Sequence, residues 1–378
     1  MRFIVATINK QEKENPEIEE EAKEMLRKWE AGDKETVALW KKMSRWANDG
    51  FSETYKTLGI KFDRLYYESE IYKFGKDIIM DGLKKGKFIE EDGAIVADLE
   101  EYKLPKKVLI RSDGTSIYMT QDIYLAKRKF DEYKIDSSVY VVGSEQNLHF
   151  LQLFKILEIL GFEFAKKCHH LSYGMVYLPS GKMKSREGTV VDADDIVAEL
   201  KELAMKEINA RYKDIGKAEA EERAGKIGLG ALKFFLLRMD PAKDMTFNPE
   251  ESISFEGETG PYVQYTYARC SSILRKYNME IPEDIDFSLY SEAEISIIKH
   301  LASYPNIVSE ASCAFKPSLI CRFLLDLCQM FNEYYHNTPV LKAESEKIVK
   351  ARVLLVASVR EILNSGLALL GIEVLEEM

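Results

Sequence analysis

The 378-residue sequence predicts a mixed α/β protein in which a portion built on a parallel sheet precedes an all-helical portion. Three observations carry this. The apolar run Val139-Tyr140-Val141-Val142-Gly143 leads through a polar bend into a helical pattern from about Asn147 to Leu160. A buried strand feeding a helix is the unit of a parallel sheet. Beyond residue 193 almost everything has helical spacing, with amphipathic stretches at 261–276, 288–306, 317–335 and 346–370, and strand signals fade near residue 250.

The elements follow in chain order. Residues 11–47 are rich in Glu and Lys with Ile18, Ala22, Met25, Leu26 and Trp29 at helical spacing, and read as amphipathic helices broken at Gly32-Asp33. Residues 87–99 alternate around Asp92-Gly93, a hairpin signal. Val108-Leu109-Ile110 is a short strand, Asp113-Gly114 a turn, and Met119 to Phe130 a helix. Leu171 to Tyr177 reads as a further strand ending in a Pro-Ser-Gly turn at 179–181, and Leu232 to Leu237 as a buried stretch. There is no internal repeat and no low-complexity tract.

Composition narrows the class. Apolar residues make up 46% and charged residues 31%, an ordinary globular balance. No apolar run reaches the roughly 18–20 residues that span a bilayer, and the start turns polar too soon for a secretory signal. A cytoplasmic protein without membrane contact is the expectation. Cys168, Cys270, Cys313, Cys321 and Cys328 include no C-x-x-C pair and are odd in number, so buried free thiols are expected rather than zinc or disulfides. The net charge of −10 disfavours a nucleic-acid partner taken alone, but local basic patches decide phosphate contacts. Lys84-Lys85-Gly86-Lys87 and Lys103 to Lys107 are such patches, and solvated surface is the more common explanation for each.

Four segments could carry chemistry. The first, Gly181-Lys182-Met183-Lys184-Ser185-Arg186-Glu187-Gly188, is a glycine-flanked loop with three cations and a hydroxyl. Such a loop can close over a triphosphate and stabilise charge on a leaving pyrophosphate; a solvated turn has the same composition. The second, Gly143-Ser144-Glu145-Gln146-Asn147-Leu148-His149, sits at the carboxyl end of the best strand, where open α/β sheets bind ligands. Its plainer reading is a helix N-cap by Ser144 or Asn147, which leaves Gln146 and His149 to explain. The third is Tyr118 and Asp122, four apart and so on one helix face. There a carboxylate can fork a guanidinium while a phenol orients it, although a structural pair looks the same. The fourth runs from Glu256 to Arg269, with Gly260-Pro261 as a helix start and Tyr262, Tyr265 and Arg269 along one face. Aromatics with an arginine suit stacking on nucleobases, and helix-packing residues have the same pattern. Lys42-Met43-Ser44-Arg45-Trp46 also resembles a phosphate-loop signature, but it lies in a helical pattern without a glycine, and reads as helix surface.

Together and in this order the segments resemble the arginyl-tRNA synthetases. Residues 182–186 resemble the second signature loop of class I synthetases. Arg111 to Asp122, Tyr140 to Phe154, Ser254 to Arg269, Phe331 to Leu341 (FNEYYHNTPVL) and Leu369 to Glu373 are similar to that family specifically, and the likeness runs from about residue 5 to 378. It implies a partial class I, Rossmann-like parallel sheet over residues 1–190 with a helical and hairpin insertion. A helical connection over 191–254 and an all-α anticodon-binding bundle over 255–378 would follow. It implies arginine–tRNA ligation, with ATP and Mg2+ giving arginyl adenylate before transfer to tRNA, and a monomer when complete. The Mg2+ would come with the nucleotide, and no protein metal site is expected. By position, Tyr118, Asp122 and Gln146 match residues that hold the arginine side chain. His149, Met175 and Val176 match the surroundings of adenine and ribose, with Lys182, Lys184, Ser185 and Arg186 in the catalytic ATP-closing loop. Tyr262, Gln264, Tyr265 and Arg269 belong to or border the tRNA-binding surface.

Two departures accompany the likeness. The loop is ordered Lys-Met-Lys-Ser-Arg where Lys-Met-Ser-Lys-Ser is common, so the cation of the usual fourth position is absent. The family's His-x-Gly-His segment, which contacts ATP, does not occur; the histidines are His149, His169, His170, His300 and His336. The 378 residues by themselves are therefore not expected to form arginyl adenylate at an appreciable rate. The rival reading is a noncatalytic tRNA-binding or regulatory protein derived from such an enzyme.

Overall fold

The computed structural model describes residues 15, 17–71, 74–179, 192–212, 214–282 and 285–378. In chain order the elements are α1 (Glu17–Glu30), α2 (Lys34–Thr57), α3 (Glu68–Ile71), α4 (Gly75–Lys84), β1 (Ile89–Glu91), β2 (Ala94–Ala97), β3 (Lys107–Ile110), α5 (Tyr118–Tyr133), β4 (Ser138–Gly143), α6 (Asn147–Ile159), β5 (Cys168–Tyr173) and β6 (Val176–Tyr177). There follow α7 (Ala193–Arg211), α8 (Lys217–Leu237), β7 (Met245–Thr246), α9 (Pro249–Ser252), α10 (Gly260–Tyr277), α11 (Glu292–Ala314), α12 (Ser318–Asn337) and α13 (Glu346–Leu369). The chain divides into two compact units, one of residues 62–175 with 241–244, the other of 1–61, 176–240 and 245–378.

In the first unit, β1, β2 and β3 form an antiparallel sheet. The expected hairpin turns through Asp92 (φ 50°) and Gly93 (φ 76°), the paired positive φ that matches strand twist in a two-residue turn. β4 and β5 pair in parallel from Ser138 opposite Cys168 to Gly143 opposite Tyr173. The core collects Ile79, Leu109, Met119, Ile123, Leu153 and Leu157, all fully buried. The single strand expected over 171–177 is two strands. Gly174 N–H donates to Pro241 O at 2.7 Å, and a Cβ on Gly174 would fall 2.3 Å from the Lys243 carbonyl carbon. The backbone leaves the β5 ladder there because it packs directly against another backbone.

The second unit is mostly helical. Its main core joins α10, α11, α12 and α13 through Val263, Ile297, Leu324, Leu327, Phe331, Val356 and Leu363. The shift to helix is as expected, with β6 and β7 as a short parallel pair (Val176 opposite Met245). α11 runs eight residues past the expected end, through Pro305, and begins at a capping box of Ser291 and Glu294. α2 likewise continues to Thr57 rather than stopping near 47, and it holds the Lys42 to Trp46 segment on its surface with no buried residue. α8 and α10 cross closely: a Cβ on Gly260 would lie 2.4 Å from Gly230 O. Gly260→Ala is expected to cost about 1–3 kcal/mol, read as a lowered urea midpoint; an unchanged midpoint would mean that the crossing has room to spare.

The thiol expectation needs one correction. Cys270, Cys321 and Cys328 are buried and free, but Cys313 is exposed and Cys168 half-buried. Cys313 lies in the last turn of α11, on a helix whose buried positions nearby are Tyr304 and Ala311.

Candidate active site and nucleic-acid surface

In the first unit the site grows from the link between β3 and α5. Asp113 Oδ1 accepts from Thr115 N–H (2.9 Å) and Thr115 Oγ1 (2.6 Å). Gly114 turns the chain at φ 80°, and Arg111 N–H donates to Thr115 O at 3.0 Å. The Thr115 hydrogen bonds hold the Asp113 carboxyl below the usual carboxylate range. Thr120 Oγ1, fully buried, donates to Leu109 O at 2.6 Å and ties the first turn of α5 to β3. α4 backs the same turn, since a Cβ on Gly75 would lie 2.2 Å from Thr120 O. Tyr118 and Asp122 therefore project from a fixed helix start, Tyr118 largely exposed (74%).

The carboxyl end of β4 supplies the facing side. Gly143 is followed by a 3-10 turn at Ser144–Gln146 and then by α6. His149, in the first turn of α6, places Nε2 2.7 Å from Asp122 Oδ2. Its ring edge rests on Phe150, with centroids 5.4 Å apart. Gln146 is exposed one turn earlier. Neither expected N-cap forms: the cap position of α6 is Gln146 without a side-chain bond, and Asn147 Oδ1 instead accepts from Ser172 Oγ at 2.8 Å. That bond ties α6 to β5, a use of Asn147 that its sequence neighbours do not signal.

Toward the start of β4 lies a half-buried cation–π pair. Lys129 Nζ sits 3.9 Å from the Tyr140 ring centroid and 3.1 Å from Ser138 Oγ. Burial pushes the Lys129 ammonium below, and the Tyr140 phenol above, their ordinary ranges. Met175 is fixed by its N–H to Asp244 Oδ1 at 2.7 Å. Val176, half-buried, packs with a different cluster, around Leu200, Leu232, Phe235 and Phe247. Lys182, Lys184, Ser185 and Arg186 lie outside the described residues, as does most of the 179–181 turn.

The second unit carries the aromatic cluster. Thr259 caps α10 by accepting from Tyr262 N–H at 3.2 Å. Gln264 is fully buried, and its Nε2 donates to Glu373 O (2.8 Å) and Lys226 O (3.2 Å). It holds helix to tail rather than facing solvent. Tyr267 is also buried, its hydroxyl bonded to Glu376 at 2.8 Å. Tyr262 is half-buried and its hydroxyl accepts from Asn332 Nδ2 at 3.1 Å. Tyr265 and Arg269 are half-buried and line a surface hollow. The Arg269 guanidinium stands 4.9 Å from the Tyr265 ring and 5.4 Å from the Tyr335 ring, and donates to Asn332 Oδ1. Two adjoining hollows of about 530 and 680 Å³ share Arg269, Ile273, Lys276 and Tyr335. Asn332 and Tyr335 stand in the 331–341 stretch that resembles the family, but nothing in their spacing marked them as groove residues.

Two family models divide the chain. One, for the catalytic domain of class I (R) tRNA synthetases, matches residues 2–248, and one for the DALR anticodon-binding domain matches 263–378. The chain belongs to the arginyl-tRNA synthetase family. It is 50% identical over 366 residues to an arginine–tRNA ligase of Parabacteroides distasonis, a match covering 95% of this chain and 61% of the relative. A Porphyromonas gingivalis arginine–tRNA ligase is 49% identical over 367 residues with the same coverage. The chain thus spans about three fifths of the length of these curated relatives. Among solved structures, a Thermus thermophilus arginyl-tRNA synthetase superposes with a TM-score of 0.83 at 28% identity, covering 97% of this chain and 67% of that one. A Mycobacterium tuberculosis methionyl-tRNA synthetase (TM-score 0.62, 14% identity) shares the fold. The mixed α/β class I architecture with a helical DALR domain is thereby established for this chain.

Proposed function

We propose that these residues supply the arginine-recognising and tRNA-reading parts of an arginine–tRNA ligase. The observation that carries this is the Asp122 carboxylate, fixed against His149 at 2.7 Å beside an exposed Tyr118, in the segment that resembles the family's arginine pocket. An ionised carboxylate on a rigid helix start can take a guanidinium in a charge-assisted fork. Gln146 and Tyr118 offer an amide and a phenol to orient it. Met175 and Val176 border adenine and ribose in this reading, with His149 turned to Asp122 instead, and Lys182, Lys184, Ser185 and Arg186 close over the phosphates. ATP arrives with Mg2+, which neutralises phosphate charge when bound. The arginine carboxylate attacks the α-phosphorus and pyrophosphate leaves; a hydroxyl of the terminal tRNA ribose then takes the arginyl group and AMP leaves. We assign residues 1–190 to catalysis, 191–254 to the connection and 255–378 to the anticodon. The complete protein is a cytoplasmic monomer in this reading. No helix among the described residues is long and apolar enough to cross a membrane.

Arginine-dependent ATP–pyrophosphate exchange with tRNA present tests the proposal in a chain extended to the relatives' length. Exchange stimulated by arginine and not by other amino acids is expected; none at all would leave a noncatalytic tRNA-binding protein. For the tRNA surface, Tyr265 and Arg269 are the contacting residues, with Tyr262 and Gln264 behind them as supports. Stacking contributes about 1–3 kcal/mol per base. Tyr265→Ala is thus expected to weaken filter binding of arginine tRNA roughly 5- to 150-fold while circular dichroism stays native. Equal, weak binding of cognate and noncognate tRNA, unchanged by the substitution, would remove the role.

A further inference from the structure

Resting on the reading of Asp122 as the carboxylate that takes the arginine guanidinium, we propose that His149 is its positioning residue, presenting that carboxylate to the guanidinium. An aspartate side chain has two rotatable bonds, and Asp122 is partly open to solvent (37% of its side chain). Left alone it would sample several rotamers, and a two-bond fork to a planar guanidinium tolerates only a narrow range of carboxylate orientation.

The geometry supplies the restraint. Nε2 of His149 lies 2.7 Å from Oδ2 of Asp122, within hydrogen-bond range for a ring N–H on a carboxylate. The imidazole is the less exposed partner, at 18%. Phe150 meets its edge, and Phe150 itself is buried and stacked on His170 at 4.3 Å. His170 Nε2 is in turn 3.0 Å from Val142 O on β4. The histidine is thus mounted on a packed aromatic layer, while the aspartate is mounted on a helix start pinned by Thr120. One hydrogen bond joins the two mounts.

The bond also leaves the carboxylate usable. An ionised carboxylate has about four acceptor positions on its two oxygens. His149 takes one on Oδ2, so both oxygens can still accept from a guanidinium. With the imidazole neutral, the proton must sit on Nε2, because a lone pair there would face the carboxylate and repel it. His149 then adds a donor without adding a competing positive charge. A lysine or arginine in its place would fill the site that the substrate needs. By this account His149 touches Asp122 rather than arginine, and its removal loosens the pocket without emptying it.

The 378-residue chain permits the test. Nitrogen-15 NMR at mildly alkaline pH, with the His149 signals identified by their loss in His149→Gln, reads which ring nitrogen holds the proton. Nε2–H is expected in the wild type, with a redistribution towards Nδ1–H in Asp122→Asn and none at the other four histidines. A predominant Nδ1–H tautomer in the wild type overturns the proposal, whatever arginine does. In parallel, calorimetry with L-arginine and with ATP separates positioning from a nucleotide contact. His149→Ala is expected to weaken L-arginine at least about fivefold and ATP less than twofold. His149→Gln, whose Nε2–H can reach the same carboxylate, recovers most of the loss. Weakened ATP with arginine unchanged overturns the proposal, as does an equal loss in the Ala and Gln variants. Asp122→Asn separates the parent reading: if it leaves arginine affinity intact, or the wild type takes up no arginine, the arginine pocket fails while the tautomer still reports the hydrogen bond.

Discussion

Arg352→Ala is expected to destabilise the helical unit by about 3–5 kcal/mol, because it strips the guanidinium from a carboxylate that has almost no access to water. Glu294 is 1% exposed. Its Oε2 accepts from Ser291 N–H (2.7 Å) and Ser291 Oγ (2.8 Å), and its Oε1 from Tyr334 OH and Arg352 Nε (both 2.9 Å). The four donors come from the start of α11, from α12 and from α13, so one carboxylate ties three helices. Burial pushes the Glu294 carboxyl up, but the hydrogen bonds from Ser291, Tyr334 and Arg352 outweigh it and hold the group below its ordinary value. A depressed carboxyl stabilises the fold above its unfolded value, about 4.3, and loses that contribution as pH falls through the folded value. Urea midpoints should therefore fall on acidification below about pH 4 more steeply in the wild type than in Glu294→Gln. In the double variant Arg352→Ala with Glu294→Gln, part of the loss should return. A cost under about 1 kcal/mol for Arg352→Ala at pH 7 would mean that the carboxylate finds water or another partner.

Asp122→Asn is expected to weaken arginine recognition by about 1.5–3 kcal/mol, the range for a hydrogen bond to a charged group, or roughly 10- to 150-fold in the arginine KM of a chain extended to the relatives' length. The ATP KM should move far less. The amide keeps the shape and one acceptor, so the lost part is the charge and one arm of the fork. Lysine, a point charge without a planar fork, should then be discriminated less well against arginine. Unchanged arginine kinetics would take Asp122 out of the pocket.

Much of this was legible in the sequence for local reasons. The Asp92-Gly93 turn, the apolar run of β4 and the helical periods past residue 193 are local signals that tertiary structure had no cause to override. The strand break at Gly174 was not legible, since it comes from the approach of residues 241–244, far along the chain. Gln264 shows the same limit. The resemblance put it at or beside the tRNA-binding surface, yet helical phase turns it onto Lys226 and the tail at Glu373. Tyr265 and Arg269, four apart, share the open face that the spacing implied. The partnership of His149 with Asp122 joins residues 27 positions apart on different helices, and no periodicity encodes it. The Glu294 node went unread: the Ser291 and Glu294 spacing is the one local signal that could have marked it, whereas Tyr334 and Arg352 arrive through packing.

The measurement that bears most directly on the central claim compares arginine with citrulline, a near-isosteric side chain whose guanidinium is replaced by a neutral urea. In tRNA-dependent pyrophosphate exchange by the extended chain, the ratio of kcat/KM for arginine over citrulline should be large in the wild type. It should fall by one to two orders of magnitude in Asp122→Asn, where the site no longer presents a charge to read. A ratio that stays the same when Asp122 loses its charge would contradict the account, placing guanidinium recognition elsewhere in the protein.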